Sequence, residues 1–174
     1  MRVVVLADTH IRRGSSRRLP AAARAALEGA NVILHAGDIV VGEVLDDLHR
    51  YAPVHAVLGN NDRELVGRLP ETLELDIGGL ATAVIHDSGP RRGRPERLKR
   101  RFPSAGLVVF GHSHQPVNEP GIDGQWLLNP GSPTERRRQP HHTIGLFDVE
   151  RGTLVAPRIV VVSEQGEVDP PGGR

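Results

Sequence analysis

The stretch "LVVFGHSH", Leu107–His114, joins a run of apolar β-forming residues to a glycine and two histidines. The apolar run predicts a short strand that is buried on both faces, and Gly111 ends it. Side chains two residues apart on an extended segment point to the same side, so His112 and His114 can be directed at one point, as metal ligands are. An isolated pair of this kind is more often part of a solvated loop. The interpretation therefore depends on partners elsewhere in the chain.

Three strands in the first third of the chain also end in polar residues. The segments "RVVVLA", "NVILHAGD" and "PVHAVLGN" alternate with the helical segments "PAAARAALEGA" and "VGEVLDDLHRYA", as a parallel α/β sheet requires. In open parallel sheets, ligands bind in the crevice beyond the carboxyl ends of the strands. The polar ends are Asp8-Thr9-His10, Gly37-Asp38 and Gly59-Asn60-Asn61-Asp62.

The second half of the chain has a different pattern. Two strand-like runs, Thr72 to Ile77 and Leu80 to His86, flank Gly78-Gly79 and predict a hairpin. A short basic helix from Glu96 to Phe102 is expected before the "LVVF" strand. The later segments "GQWLLNPGS", "TIGLFDVE" and "TLVAPRIVVV" predict strands of a second sheet.

The length of 174 residues and the hydrophobic fraction of 38% are those of one globular domain. We expect a single domain over residues 1–162 and a flexible C-terminal tail over residues 163–174. The absence of a long apolar run or a signal-peptide pattern predicts a cytoplasmic protein without membrane contact. Because the chain contains no cysteine, a metal must be held by nitrogen and oxygen atoms.

The net charge of +1 gives no strong overall field, but arginines are clustered. Arg12 and Arg13, and the group 136–138, are expected to line the mouth of a pocket and to accept a polyanion. Aromatic residues make up only 3% of the chain, which leaves few platforms for stacking nucleic-acid bases. Nucleic acid is therefore the less favoured partner.

The polar residues at the strand ends form a candidate ligand set of two carboxylates, four imidazoles and one amide. These ligand types suit borderline divalent metals such as Mn, Fe, Zn, Co or Ni, and differ from an all-oxygen cage. Seven ligands are too many for one tetrahedral site, and they suit two metals that share a carboxylate. The set is Asp8, His10, Asp38, Asn60, His86, His112 and His114.

In this order, the polar blocks resemble the signature of the calcineurin-like metallophosphoesterases, D-x-H, G-D, G-N-H-[DE], H and G-H-x-H. The short chain and the later "NPGS", Asn129 to Ser132, are similar to the small bacterial and archaeal phosphodiesterase branch of that superfamily. The resemblance extends from Met1 to about Val162. It implies an α/β fold in which two mixed β-sheets pack as a sandwich flanked by helices.

The resemblance also implies a role for each ligand. One metal would be held by Asp8, His10 and His114, and the other by Asn60, His86 and His112. Asp38 would bridge the two ions, for which manganese is the expected metal, and a hydroxide held between them would attack the phosphorus. The positive charge of two divalent cations exceeds the negative charge of two carboxylates, so the site would attract a phosphate. Asn60 would contact a phosphate oxygen. The implied substrate is a small-molecule or nucleotide phosphodiester.

Two positions depart from the family pattern. Asn61 stands where the wider superfamily has a histidine, and an amide cannot protonate a leaving group. Since general acid catalysis contributes roughly 10²–10⁴-fold, its loss favours esters with good leaving groups, such as aryl phosphodiesters. The residue after His86 is Asp87, where a glycine often follows.

Two other functions remain alternatives at this point. One is a non-catalytic scaffold, because the retromer scaffold subunit resembles this superfamily and carries a degraded site. The other is a phosphomonoesterase, against which Asn61 argues. An oligomer is compatible with either function.

Overall fold

Two mixed five-stranded sheets form the centre of the protein in a computed structural model, which describes residues 1–163. The sheets pack face to face and are flanked by helices, which confirms the fold expected from the sequence. Apart from Ser163, the predicted tail over residues 163–174 lies outside the described residues.

The first sheet has the strand order β10-β9-β1-β2-β3. Strands β1, β2 and β3 run parallel, while β9 lies antiparallel to β1 and to β10. The carboxyl ends of the three parallel strands therefore lie at one edge of the sheet. The strands are β1 (Arg2–Leu6), β2 (Val32–His35), β3 (Val54–Ala56), β9 (Thr143–Glu150) and β10 (Thr153–Val161).

The second sheet has the order β4-β5-β6-β8-β7. Strands β5, β6 and β8 are parallel, and the edge strands β4 and β7 are antiparallel to their neighbours. The strands are β4 (Thr72–Ile77), β5 (Leu80–Ile85), β6 (Leu107–Val109), β7 (Val117–Pro120) and β8 (Trp126–Asn129).

Alternation of side chains along the strands builds three apolar layers. On β1, Val3 and Val5 face the second sheet, while Val4 and Leu6 face two helices on the opposite side. Those helices are α1 (Ala21–Glu28) and α2 (Gly42–His49), and α3 (Arg94–Arg101) covers the outer face of the second sheet. None of the helices within residues 1–163 is long and apolar enough to cross a membrane.

The prediction of a second sheet from the C-terminal segments was wrong for two of them. The segments "TIGLFDVE" and "TLVAPRIVVV" form β9 and β10, which join the first sheet, where Arg2 pairs with Asp148 and Val5 with Gly145. Alternating hydrophobicity shows that a segment is a strand, but it does not specify the neighbour with which the strand pairs. Only "WLLN", which forms β8, lies in the second sheet.

Two smaller differences concern element boundaries. Helix α3 begins at Arg94 rather than at Glu96, because Pro95 is tolerated in the first turn of a helix. The edge strand β7, "VNEP", was not expected, since it is polar and ends in a proline.

Candidate metal centre

The polar residues singled out from the sequence lie together at the carboxyl ends of parallel strands in both sheets. The loops after β1, β2 and β3 contribute one half of the group, and the loops after β5 and β6 contribute the other. The crevice therefore lies where the two sheets meet. The residues are Asp8 and His10 after β1, Asp38 after β2, Asn60 after β3, His86 after β5, and His112 and His114 after β6.

A first group of ligand atoms comes from Asp8, His10 and His114, which are all buried. The two Nε2 atoms of His10 and His114 are 3.2 Å apart. Asp8 Oδ1 is 3.6 Å from Nε2 of His114 and 4.0 Å from Nε2 of His10. These atoms surround a volume that a single cation would fill.

A second group forms around the side-chain oxygen of Asn60. Asn60 Oδ1 is 3.0 Å from Nε2 of His86 and 3.1 Å from Nδ1 of His112. Asp38 Oδ2 lies between the two groups, 3.4 Å from Nε2 of His10 and 3.6 Å from Nε2 of His86. One carboxylate oxygen therefore faces both sets of ligand atoms.

Backbone carbonyls orient two of the imidazoles. Nδ1 of His86 is 2.7 Å from the carbonyl oxygen of Ala36, and Nδ1 of His114 contacts the carbonyl oxygen of Glu135. Because a carbonyl only accepts hydrogen bonds, each Nδ1 carries the proton, and each Nε2 presents its lone pair to the site. This is the tautomer that a metal ligand requires.

The loops that carry these side chains adopt unusual backbone conformations. Five of the seven residues have positive φ, between 44° for His10 and 69° for His112. Such conformations cost on the order of 1–3 kcal/mol each for residues other than glycine and persist only where the surroundings enforce them. The five are Asp8, His10, Asp38, His112 and His114.

Close contact between the loops explains two of the neighbouring glycines. A Cβ on Gly59 would lie 2.2 Å from the backbone nitrogen of Asp38, and a Cβ on Gly111 would lie 2.9 Å from the carbonyl oxygen of Ala36. No side chain fits at either position. Gly59 thus allows the loops after β2 and β3 to approach each other, and Gly111 allows the loop after β6 to approach the loop after β2.

Asp62 connects the loop after β2 to the loop after β3. Its carboxylate accepts hydrogen bonds from the backbone N–H groups of Asp38 at 2.9 Å, Val40 at 2.6 Å and Gly59 at 2.7 Å. Asp62 is buried, and it holds the backbone on which Asp38 is carried. These three contacts give Asp62 a role in orienting the loop that carries Asp38.

We expect Asp62→Asn to weaken metal binding, because an amide has one acceptor oxygen where the carboxylate has two. The NH₂ group of the amide would replace the other oxygen and would point at a backbone N–H group, which cannot accept a hydrogen bond. Loss of an outer contact of this kind typically lowers metal affinity by about 10–100-fold. Manganese titration followed by calorimetry would measure the change. Unchanged affinity in a folded variant would contradict the positioning role.

The loop after β8 also contacts the backbone of the loops that carry the candidate ligands. The side-chain amide of Asn129 donates to the carbonyl oxygen of Gly111 at 2.9 Å, and Ser132 Oγ donates to that of Asp8 at 2.7 Å. Thr134 Oγ1 also donates to the carbonyl oxygen of Thr9. The "NPGS" block pointed to this loop, but the contact of Thr134 had no signal in the sequence.

The electrostatics of the first group fit a cation. Burial, and next the charge of Asp38, raise the pKa of Asp8 to about 8 when no cation is bound. Burial also lowers the pKa of His114 to about 4, which leaves its ring neutral. Asp8 Oδ2 is buried without a hydrogen-bond partner. A divalent cation would compensate the buried carboxylate, so the residues fit a metal ion.

Asp38 differs from Asp8 because it receives hydrogen bonds. Burial raises the pKa of Asp38, but the backbone and side-chain N–H groups of Asn61, together with His86 and His10, lower it by more, so that the pKa lies below its usual value. The Asn61 backbone donates to Oδ1 at 2.8 Å, and its amide donates to Oδ2 at 2.7 Å. Asp38 is therefore held as a carboxylate between the two groups.

The arginines near the centre are partly neutralised. Arg13 is exposed and pairs with Glu43 at 2.6 Å and with Glu64 at 2.9 Å. Arg17, which the sequence did not single out, donates to the carbonyl oxygen of His10 at 3.1 Å and pairs with Glu135. The expectation that Arg12, Arg13 and the group 136–138 accept a polyanion stays a prediction.

The fold and the ligand groups together define a metal-binding α/β protein whose site lies at the joined edges of two sheets. The model of the calcineurin-like phosphoesterase superfamily domain matches residues 1–152. A probable metallophosphoesterase from Methanothermobacter thermautotrophicus is 35% identical over 140 residues, which cover 79% of this chain and 80% of that protein. The chain belongs to the calcineurin-like phosphoesterase superfamily. The family match supports a phosphoesterase, and members typically bind divalent metals, a requirement that the ligand groups described above meet.

Solved structures show the same fold at lower identity. Vps29 from Entamoeba histolytica, solved in complex with Zn²⁺, is 22% identical with a TM-score of 0.74, and the match covers 94% of this chain and 100% of that one. An archaeal phosphodiesterase is 23% identical with a TM-score of 0.68, and the match covers 92% of this chain and 99% of that one. The fold is therefore shared with proteins that are only 22% and 23% identical to this chain.

Proposed function

We propose that this protein is a phosphodiesterase that uses two divalent metal ions. Asp8, His10 and His114 would hold one ion, and Asn60, His86 and His112 the other, with Asp38 shared between them. The observation that carries the proposal is the position of Asp38 Oδ2, within 3.4 Å of His10 Nε2 and 3.6 Å of His86 Nε2. A carboxylate oxygen placed between two groups of imidazole ligands is the arrangement that a bridging ligand needs.

When bound, the two ions would supply Lewis-acid chemistry, ionising a water molecule near neutral pH and neutralising charge on the phosphate. Asp38 holds the position at which the nucleophile is generated. Burial lowers the pKa of His10 and of His114, so these two rings add no charge of their own. Backbone carbonyls orient His86 and His114. Asn60 turns Oδ1 toward the two histidines, which leaves its amide N–H groups to bind a phosphate oxygen.

The preference for diesters rests on Asn61. Its side chain is exposed at the rim of the site and donates to Asp38 Oδ2, so it offers no proton to a leaving group. A substrate whose leaving group departs as a stable anion is therefore favoured, and we propose a small-molecule or nucleotide phosphodiester. The archaeal phosphodiesterase among the structural neighbours supports the same reaction class.

Manganese is the metal that we propose, with Fe, Zn, Co and Ni as alternatives, because the mixed nitrogen and oxygen ligands suit all of them. The cytoplasmic location expected from the sequence, the single domain over residues 1–162 and the possibility of an oligomer stay predictions.

The proposal is tested by stripping the protein of metal and measuring hydrolysis of bis(p-nitrophenyl) phosphate and p-nitrophenyl phosphate with and without manganese. We expect manganese-dependent cleavage of the diester that exceeds cleavage of the monoester. A preference for the monoester would make the protein a phosphomonoesterase. Failure to retain any transition metal and to cleave either ester would favour a scaffold on the same fold.

We expect Asn61→His to broaden the range of leaving groups. An imidazole at this position would supply the missing proton donor, and general acid catalysis of this kind is worth about 10²-fold or more. The ratio of activity on an alkyl phosphate ester to activity on bis(p-nitrophenyl) phosphate should therefore rise by about 10²-fold or more. Asn61→Ala serves as the control, since it removes the contact with Asp38 without adding an acid. An equal rise in both variants would exclude proton donation as the cause.

A further inference from the structure

A cavity of about 520 Å³ opens beside the candidate metal centre, between the loop after β1 and helix α2. Its inner wall begins at Ile11, which directly follows His10, and continues at Val41, three residues after Asp38. The backbones of Ile11 and Val40 pair with each other as an isolated parallel bridge. The cavity and the metal centre therefore share a wall built from the same two loops.

The floor of the cavity is apolar and includes an aromatic ring. Val44 and Leu48 of α2 line it and belong to the core between α2 and the first sheet. Leu19 and Tyr51 are half-buried against the same core and also line the cavity. A volume of this size with an apolar floor is in the range that accommodates a small organic ligand.

The rim of the cavity is strongly basic. Five arginines line it, against two carboxylates, which belong to Glu43 and Asp47. Both carboxylates are already engaged, Glu43 with Arg13 at 2.6 Å and Asp47 with Arg50 at 3.3 Å. The remaining positive charge is not compensated by these acids.

Three of the rim arginines have no carboxylate partner among residues 1–163. Arg18 and Arg24 donate only to backbone carbonyls, those of Ser15, Arg17 and Leu19, and no hydrogen bond or ion pair joins the Arg12 side chain to the described part of the chain. A backbone carbonyl fixes a guanidinium without neutralising it, so N–H groups and charge remain for an anion. The rim is therefore suited to phosphate oxygens.

We propose that this cavity binds a nucleoside phosphate, with the ring system against the apolar floor at Tyr51 and the phosphate at Arg18 and Arg24. An apolar floor alone would accept many hydrophobic molecules, and a basic rim alone would accept any anion. An anion that carries an apolar group uses both surfaces, and the ring of Tyr51 favours a flat one. The shared wall with the metal centre makes this cavity the binding site for the nucleotide portion of the substrate, an assignment that rests on the proposed function.

Calorimetry on the chelator-treated protein tests the cavity without the metal centre. We expect saturable binding of adenosine 5′-monophosphate, and at least about tenfold weaker binding of adenosine and of inorganic phosphate. The double variant Arg18→Glu/Arg24→Glu should weaken binding of the nucleotide by at least about tenfold. Tyr51→Leu should weaken binding of the nucleotide while leaving binding of inorganic phosphate unchanged.

The matched control is Arg100→Glu/Arg158→Glu, which makes the same charge change at two exposed arginines that do not line the cavity. Arg158, like Arg18 and Arg24, donates to a backbone carbonyl. We expect this control to bind the nucleotide as the parent does. Circular dichroism confirms that each variant is folded.

The substrate assignment has a second readout in the metal-loaded protein. The rate on the p-nitrophenyl ester of a nucleoside 5′-phosphate, relative to bis(p-nitrophenyl) phosphate, should fall at least about tenfold in the Arg18→Glu/Arg24→Glu variant. The proposed binding site would be wrong if binding of the nucleotide did not saturate up to about 10 mM, or if the control variant lost as much affinity for the nucleotide as the Arg18→Glu/Arg24→Glu variant. Binding without any hydrolysis would instead contradict the proposed function and leave the cavity assignment intact. An unchanged substrate ratio would overturn the substrate assignment.

Discussion

The Asp38→Asn variant, assayed with manganese, is expected to hydrolyse bis(p-nitrophenyl) phosphate about 10²–10⁴-fold more slowly than the parent. A loss of this size follows when the metal ions no longer contribute several kcal/mol to stabilisation of the transition state. An amide lacks the negative charge with which Asp38 Oδ2 faces both His10 and His86. The substitution keeps the shape of the side chain, so the fold should be preserved. Steady-state rates and metal content measured together would check the result.

Asp46→Asn is the matched control, because Asp46 is an exposed carboxylate on α2. It should retain the rate and the metal content of the parent. We expect the Asp38 variant to lose bound metal as well as rate. Full activity of a folded Asp38→Asn protein would reject the shared-carboxylate mechanism.

The second large effect concerns stability in the absence of metal. Burial raises the pKa of Asp8 from 3.8 to about 8. Between those values the folded state binds a proton at Asp8 that the unfolded state does not, so the free energy of unfolding falls as the pH rises. Asp8→Asn removes this titration. The stability of the variant relative to the parent should therefore increase by roughly 3 kcal/mol from about pH 5 to pH 8.

Urea denaturation of the chelator-treated proteins at several pH values would measure this difference. Asp46→Asn again provides the control and should follow the parent at each pH. Addition of manganese at the higher pH should stabilise the parent more than the Asp8 variant, which has lost one ligand, since ligand binding to the folded state alone raises stability. A constant difference between variant and parent across the pH range would contradict the buried-carboxylate interpretation.

The surroundings of Asp8 explain why this residue lowers the stability of the metal-free protein and yet suits a metal ligand. The side chain is fully buried and Oδ2 has no hydrogen-bond partner. A protein selected for stability alone would place an apolar or amide side chain there. Sites that bind metals often retain such unfavourable groups because the ligand compensates them.

Much of the site could be predicted because strand ends are visible in the sequence. The apolar runs that form β1 and β2 stop just before polar residues, and parallel pairing brings those ends to one edge of the first sheet. The prediction that His114 lies with Asp8 came from the resemblance to the metallophosphoesterase signature, because β6 belongs to the other sheet. Whether these side chains ligate metal stays a prediction.

Other features depend on contacts between distant segments and could not be predicted. The pairing of β9 with β1 is decided by the packing of Phe147 and Val149 between the sheets, which periodicity does not reveal. The three hydrogen bonds to Asp62 require the loops after β2 and β3 to be placed first. The lining of the cavity beside the metal centre likewise combines a loop with a helix that is separated from it in the chain.

The left-handed backbone at the ligand residues has a consequence for the kinetics of metal uptake. Asp8 and Asp38 are held in these conformations by other residues of the protein: Ser132 Oγ donates to the carbonyl oxygen of Asp8, and the Asp38 backbone N–H donates to Asp62. The loops therefore need not rearrange when an ion arrives, and little conformational entropy is lost on binding. We expect the association rate to be limited by diffusion of the ion and release of its water shell, with no slow step from loop ordering.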